Sequence, residues 1–143
     1  MNFEDLTPYS YLRAAVRPGL LNVGWLGASH DFKTADPAPE FLQALWRYCS
    51  YRVAQTRGFH TCELCVAPPQ SPTSVTFNDE TVRLGTAEIR VFGAGGQAFA
   101  APDLIFHYVV THRYPPPDSF VASVLSGPHP GTQKYDHLLS DYR

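Results

Sequence analysis

At 143 residues the chain has the length of one ordinary domain. It is 44% hydrophobic and 13% aromatic, enough for a core, and its charged fraction of 17% argues against disorder. A net charge of −2 and only two lysines, Lys33 and Lys134, leave no electrostatic footprint for nucleic acid. No apolar run approaches the roughly 20 residues of a membrane span. The start, MNFEDLTPYSYLRAAVRPG, lacks the basic-then-apolar pattern of a signal peptide, so a cytoplasmic protein with no membrane or nucleic-acid partner is expected.

Residues 20–26, LLNVGWL, are apolar between Gly19 and Gly27 and predict a buried strand anchored by Trp25. A helix is predicted over 39–54. Asp36 can cap it, Pro37 and Pro39 suit its first turn, and Glu40 favours the positive end of its dipole. Phe41, Leu42, Leu45, Trp46, Cys49 and Val53 form one apolar stripe, which makes Cys49 a small core residue.

Gly58 ends that pattern, and FHTCELC leads into a proline-rich loop. Residues 73–77 and 86–92 are β-type, and with the turn Gly93-Ala94-Gly95-Gly96 the stretch 86–100 predicts a hairpin. A second helix is predicted from Ala101-Pro102-Asp103, with Pro102 in its first turn, ending before Pro115-Pro116-Pro117. A third covers about 118–125, with Phe120, Val121, Val124 and Leu125 on its apolar face. Residues 128–143 read as a tail, packed over the surface or partly mobile. This order predicts one α+β domain over 1–143, a small mixed or antiparallel sheet with about three helices.

Cys62 and Cys65 form a C-x-x-C, and a tight turn brings such sulfurs to one side of the chain. His107 and His112 follow on the second predicted helix, after an insert running from 66 to 106. These are the ligand types of a Cys2His2 zinc site, with a far longer insert than a zinc finger carries. His60 is a rival fourth ligand, because in an extended segment it points to the same side as Cys62. His107 and His112 diverge by about 140° on a straight helix, so they can share an ion only if the helix distorts near its end. A redox C-x-x-C belongs at a helix start after a strand, and this one instead follows a helix. Two unrelated thiols are the other alternative, and a structural zinc knuckle stapling the domain is preferred.

No catalytic signature competes with that reading. The H-x-E of zinc deaminases and H-E-x-x-H are both absent, and the glycines at 93–96 lack a following Lys-Ser/Thr. Nothing flanking Cys62 and His107 supports a thiol–imidazole catalyst. His30, His129 and His137 are assigned no role.

The stretches RGFHTCELC, AEIRV and AAPDLIFHYVVTHRYPPPDSFVASVL, with LLNVGWL near the start, resemble a family of small stand-alone bacterial proteins of unknown function. The resemblance covers about 20–26 and 57–125. It implies that His60, Cys62, Cys65, His107 and His112 belong to one unit, and it brings no established activity.

The expected function is a non-enzymatic zinc-stabilised binding protein, an adaptor or a toxin-neutralising immunity protein. Tyr9, Tyr11, Tyr135 and Tyr142 would either anchor a protein partner or simply pack on the body of the domain. The alternative is a zinc hydrolase with an open site, its metal on Cys62, Cys65 and His107. His60 or His112 would then carry protons, with Glu63 as base.

Overall fold

A computed structural model describes residues 3–9, 19–28, 31–51, 53, 61–65 and 73–142. The elements in chain order are β1 (Leu20–Asn22), α1 (Pro39–Ser50), β2 (Thr73–Phe77), β3 (Glu80–Leu84), β4 (Glu88–Phe92), β5 (Ala98–Pro102), α2 (Ile105–Thr111), α3 (Asp118–Ser126) and α4 (Gln133–Leu139). They form a mixed sheet in the order β1-β5-β4, with β1 parallel and β4 antiparallel to β5, and a separate β2-β3 hairpin. The class is α+β, as expected. Among the described residues no helix is long and apolar enough to cross a membrane.

Several boundaries differ from the sequence expectation, each for a local reason. The strand predicted over 20–26 stops at Asn22. Gly24 takes φ +77, and the space a side chain would need there is filled by Ile105. Trp25 is nevertheless a core anchor, its indole N–H donating to the Ala100 carbonyl at 3.0 Å. Helix α1 begins with Pro39 at its first position, but Ala38 caps it without a side-chain bond, and Asp36 pairs with Arg113 at 2.8 Å instead. It ends at Ser50 rather than 54. Val53 leaves the helix to exchange two backbone hydrogen bonds with Glu88, at 2.8 and 2.9 Å, extending the sheet beyond β4.

The β2-β3 hairpin was not expected as a unit. Its two-residue turn, Asn78-Asp79, has φ +51 and +64, the left-handed pair whose twist matches the flanking strands. The β4-β5 hairpin is the one predicted, with Gly95 and Gly96 left-handed in the turn. Strand β5 continues through Pro102, so α2 starts at Ile105. Pro102 sits where pairing with β1 has already stopped, at Ala100, a position that tolerates its missing N–H. In α3 Phe120 and Val124 are buried, but Leu125, expected on the apolar face, is 44% exposed. Part of the tail at 128–143 forms α4, capped by the Thr132 side chain, which accepts from the Tyr135 amide at 3.2 Å.

All residues of β4 and β5 are buried, and α1, α3 and α4 pack on β4. That burial includes two charges. Arg90 donates to Glu88 at 2.7 Å, and the Tyr9 hydroxyl donates to the same carboxylate at 2.9 Å. Arg90 Nε donates to the Tyr142 carbonyl at 3.0 Å, and its guanidinium lies 5.0 Å from the centre of the Tyr9 ring. Truncating one member of a buried pair strands the other charge, at a cost of about 3–5 kcal/mol. Glu88→Ala is therefore expected to lower the urea-unfolding free energy by that amount, and a loss under about 1 kcal/mol would show that the pair does not hold the sheet.

Buried phenols add a pH dependence. Burial pushes Tyr48 up from 10.0 to about 12, and burial is also the largest cause of the upward shifts of Tyr9, Tyr108, Tyr114 and Tyr135. Unfolded tyrosines ionise near 10.0, so above that pH the unfolded chain has lost protons that the fold retains. The contribution is present below pH 10.0 and is lost as pH rises through about 12. Circular dichroism and tyrosinate absorbance should change together in that window. Free titration of all tyrosines near 10.0 with the fold intact would contradict it.

Candidate metal centre

The C-x-x-C lies on a short turn, and its two sulfurs face the C-terminal end of α2. Cys62 is buried, while Cys65, His107 and His112 are half-buried. His112 Nε2 lies 3.2 Å from Cys62 Sγ and 3.5 Å from Cys65 Sγ, and His107 Nε2 lies 3.4 Å from Cys65 Sγ. All four donor atoms fall within 4.8 Å of one another. A tetrahedron with metal–sulfur bonds of about 2.3 Å and metal–nitrogen bonds of about 2.0–2.1 Å has sulfur–nitrogen edges of about 3.5 Å. The residues fit a single ion.

The angular problem posed by histidines five residues apart is resolved by the end of the helix. The last helical residue of α2 is Thr111, and His112 is the cap, at φ −104 and ψ 1. Arg113 then turns left-handed at φ +56, and the Tyr114 amide returns to the Tyr108 carbonyl at 3.1 Å. At this non-helical cap position the His112 imidazole stands beside that of His107, their ring centres 5.2 Å apart. On the far side of the His107 ring, Nδ1 lies 3.3 Å from Thr111 Oγ1. Were Nε2 to ligate an ion, Nδ1 would carry the proton and donate to that hydroxyl, which would fix the ring plane.

Burial pushes the Cys62 thiol up to about 11, against the pull of hydrogen bonds from the Leu64 and Cys65 amides. Burial holds both imidazoles below their ordinary value, and for His107 the neighbouring His112 adds to it. The imidazoles are thus disposed to be neutral donors, and the amides already aimed at Cys62 favour its thiolate.

Four of the five expected ligands therefore come together, and His60 lies outside the described residues. Cys49 is buried in α1 and, as expected, takes no part in the cluster. Glu63, the base of the hydrolase alternative, is exposed on the turn. Of the two readings of the tyrosines, anchors of a partner or packing on the body, the structure gives packing for Tyr9 and Tyr135. Tyr9 and Tyr135 are 2% and 0% exposed, their rings spent on the core, and Tyr142 is half-buried. Tyr11 lies outside the described residues.

A family model described as a domain of unknown function (DUF7919) matches residues 1–125. The chain belongs to that family. No curated protein and no solved structure matches it. The match spans both cysteines and both histidines of the centre, whereas α4 lies beyond it.

The geometry separates the three cysteines. Cys62→Ser and Cys65→Ser are each expected to abolish metal retention and lower the melting temperature by more than about 10 °C, at roughly 2–4 °C per kcal/mol for a domain of this size. Cys49→Ser should cost only about 1–2 kcal/mol, the burden of a buried hydroxyl, with metal content unchanged. Equal effects of all three substitutions in thermal melts would deny Cys62 and Cys65 their special place.

Proposed function

We propose that this chain is a non-enzymatic binding protein whose Cys62–Cys65–His107–His112 centre holds a structural zinc ion. It acts on a protein partner as an adaptor or, in one concrete form, as a toxin-neutralising immunity protein. The observation that carries the reading is that His112 Nε2 lies at ligand distance from both sulfurs, 3.2 and 3.5 Å. Two thiolates and two imidazoles complete a zinc tetrahedron and leave no position for substrate. The donor set favours zinc over hard cations, which take oxygen ligands.

Such an ion would join the turn at 62–65 to the end of α2 across the whole β2–β5 segment. Its binding energy would then be folding energy. A hydrolase would need one of the four donors withdrawn in favour of water, with a base in reach. The half-burial of the cluster together with a saturated donor set supports the structural role instead.

Protein purified without added metal should carry about one zinc per chain by elemental analysis. A strong chelator should lower the melting temperature of the wild type and leave Cys62→Ser nearly unaffected. Cobalt substitution should give the intense visible bands of a four-coordinate thiolate site. Folded, stable protein with a zinc ratio near zero would sink the zinc centre. A cobalt spectrum of a five-coordinate, water-bearing site would instead favour the hydrolase.

A further inference from the structure

The partner surface expected from the tyrosines is not available, since Tyr9 and Tyr135 are core. A different surface has the form of an anchor site. Between the start of α1, the end of α2 and the outer face of α3 lies a groove of about 210 Å³. Phe41, Val109 and Pro116 are its buried apolar floor, and Leu125, 44% exposed, stands at its rim. The volume is below the roughly 300–1,000 Å³ of a small-molecule or cofactor pocket. It suits one large apolar side chain, the anchor of a protein interface.

Among the described residues, the only charged ones lining the groove are carboxylates, Asp36 and Asp118. Arg113 engages Asp36 at 2.8 Å. Asp118 is exposed and has no ion-pair partner among the described residues. The groove therefore complements an apolar residue flanked by a cation.

Its walls are held before any partner arrives. The Tyr114 hydroxyl donates to Asp5 at 2.5 Å, and the Ala35 amide donates to the Arg113 carbonyl at 3.0 Å. Preorganisation of this kind lowers the entropic cost of docking. The wall residues Tyr114, Pro115 and Pro116 follow His112 closely in sequence, so the metal centre and the groove border the same turn.

We infer that this groove is the docking site for a protein partner, taking one large apolar side chain with an adjoining lysine or arginine against Asp118. The inference deepens the binding-protein reading and rests on it.

The test uses two capped dipeptides, acetyl-Phe-Arg-amide and acetyl-Phe-Glu-amide, titrated at low ionic strength into isotope-labelled full-length protein whose zinc content has been measured. Amide shifts are expected at Ala38, Val121 and Leu125, with a millimolar-range Kd. Phe-Arg should bind about two- to fivefold more tightly than Phe-Glu, the range of an exposed ion pair. Asp118→Asn should erase that preference and keep binding of both peptides. Val121→Trp, which fills the groove, should abolish binding with melting temperature and zinc content unchanged. Shifts mapping elsewhere, equal affinity for the two peptides on the wild type, or no shifts at all would overturn the inference. So would groove shifts that grow with protein concentration in the absence of peptide, which would make the occupant a second copy of the chain. Zinc-loaded protein without groove shifts fails the groove alone, whereas groove shifts on zinc-free folded protein fail the zinc centre alone.

Discussion

Two sulfurs and two imidazole nitrogens within 4.8 Å are the constraint on which the rest of this arrangement turns. Buried thiols and neutral imidazoles gain little from one another as hydrogen-bond partners, and burial makes each harder to ionise. A cation reverses that balance, because it favours the thiolate that burial opposes. The backbone already anticipates the charge, with the amides of Leu64 and Cys65 directed at Cys62. The long-range contacts of the described 61–65 turn include those to His107 and His112, so the centre ties this short turn to α2.

The sheet poses the opposite problem, of charge already inside. Glu88 and Arg90 occupy one face of a strand buried throughout, where uncompensated charge is expensive. Tyr9 from the N-terminal segment and the carbonyl of Tyr142 near the C-terminus supply further bonds, while Arg90 Nη2 has no hydrogen-bond partner among the described residues. The Tyr135 hydroxyl donates to the Arg90 carbonyl at 2.8 Å, so α4 is tied to the same strand. Parts of the chain far apart in sequence thus meet on a polar core, which demands a particular partner geometry in a way apolar packing does not.

The metal centre and the groove are two uses of one local device, the left-handed stop after α2. The helix ends at His112, whose ring stands beside that of His107, and the left-handed Arg113 then sends Tyr114 into the groove wall. An ion held by all four donors would suit rigidity rather than turnover, and rigidity is what the proposed anchor site would require. The same turn explains why Arg113 is spent on Asp36 rather than left to attract an acidic partner.

Local patterns in the sequence were enough for the α+β class, the α1 stripe, the β4-β5 turn and the candidate donors Cys62, Cys65 and His107, with His60 and His112 left as rivals for the fourth place, because each depends on residue type and short spacing. The Asn78-Asp79 turn and the Thr132 cap are also local features. Other features required the fold. Whether Pro102 ends a strand or opens a helix depended on where β1 stops pairing with β5. That Tyr9 and Tyr135 are core rather than surface depended on the buried acceptors they meet, the Glu88 carboxylate and the Arg90 carbonyl. That His112 can join His107 depended on the non-helical turn at the end of α2. Burial and convergence are sums over contacts between distant segments, and no window of sequence contains both sides of such a contact.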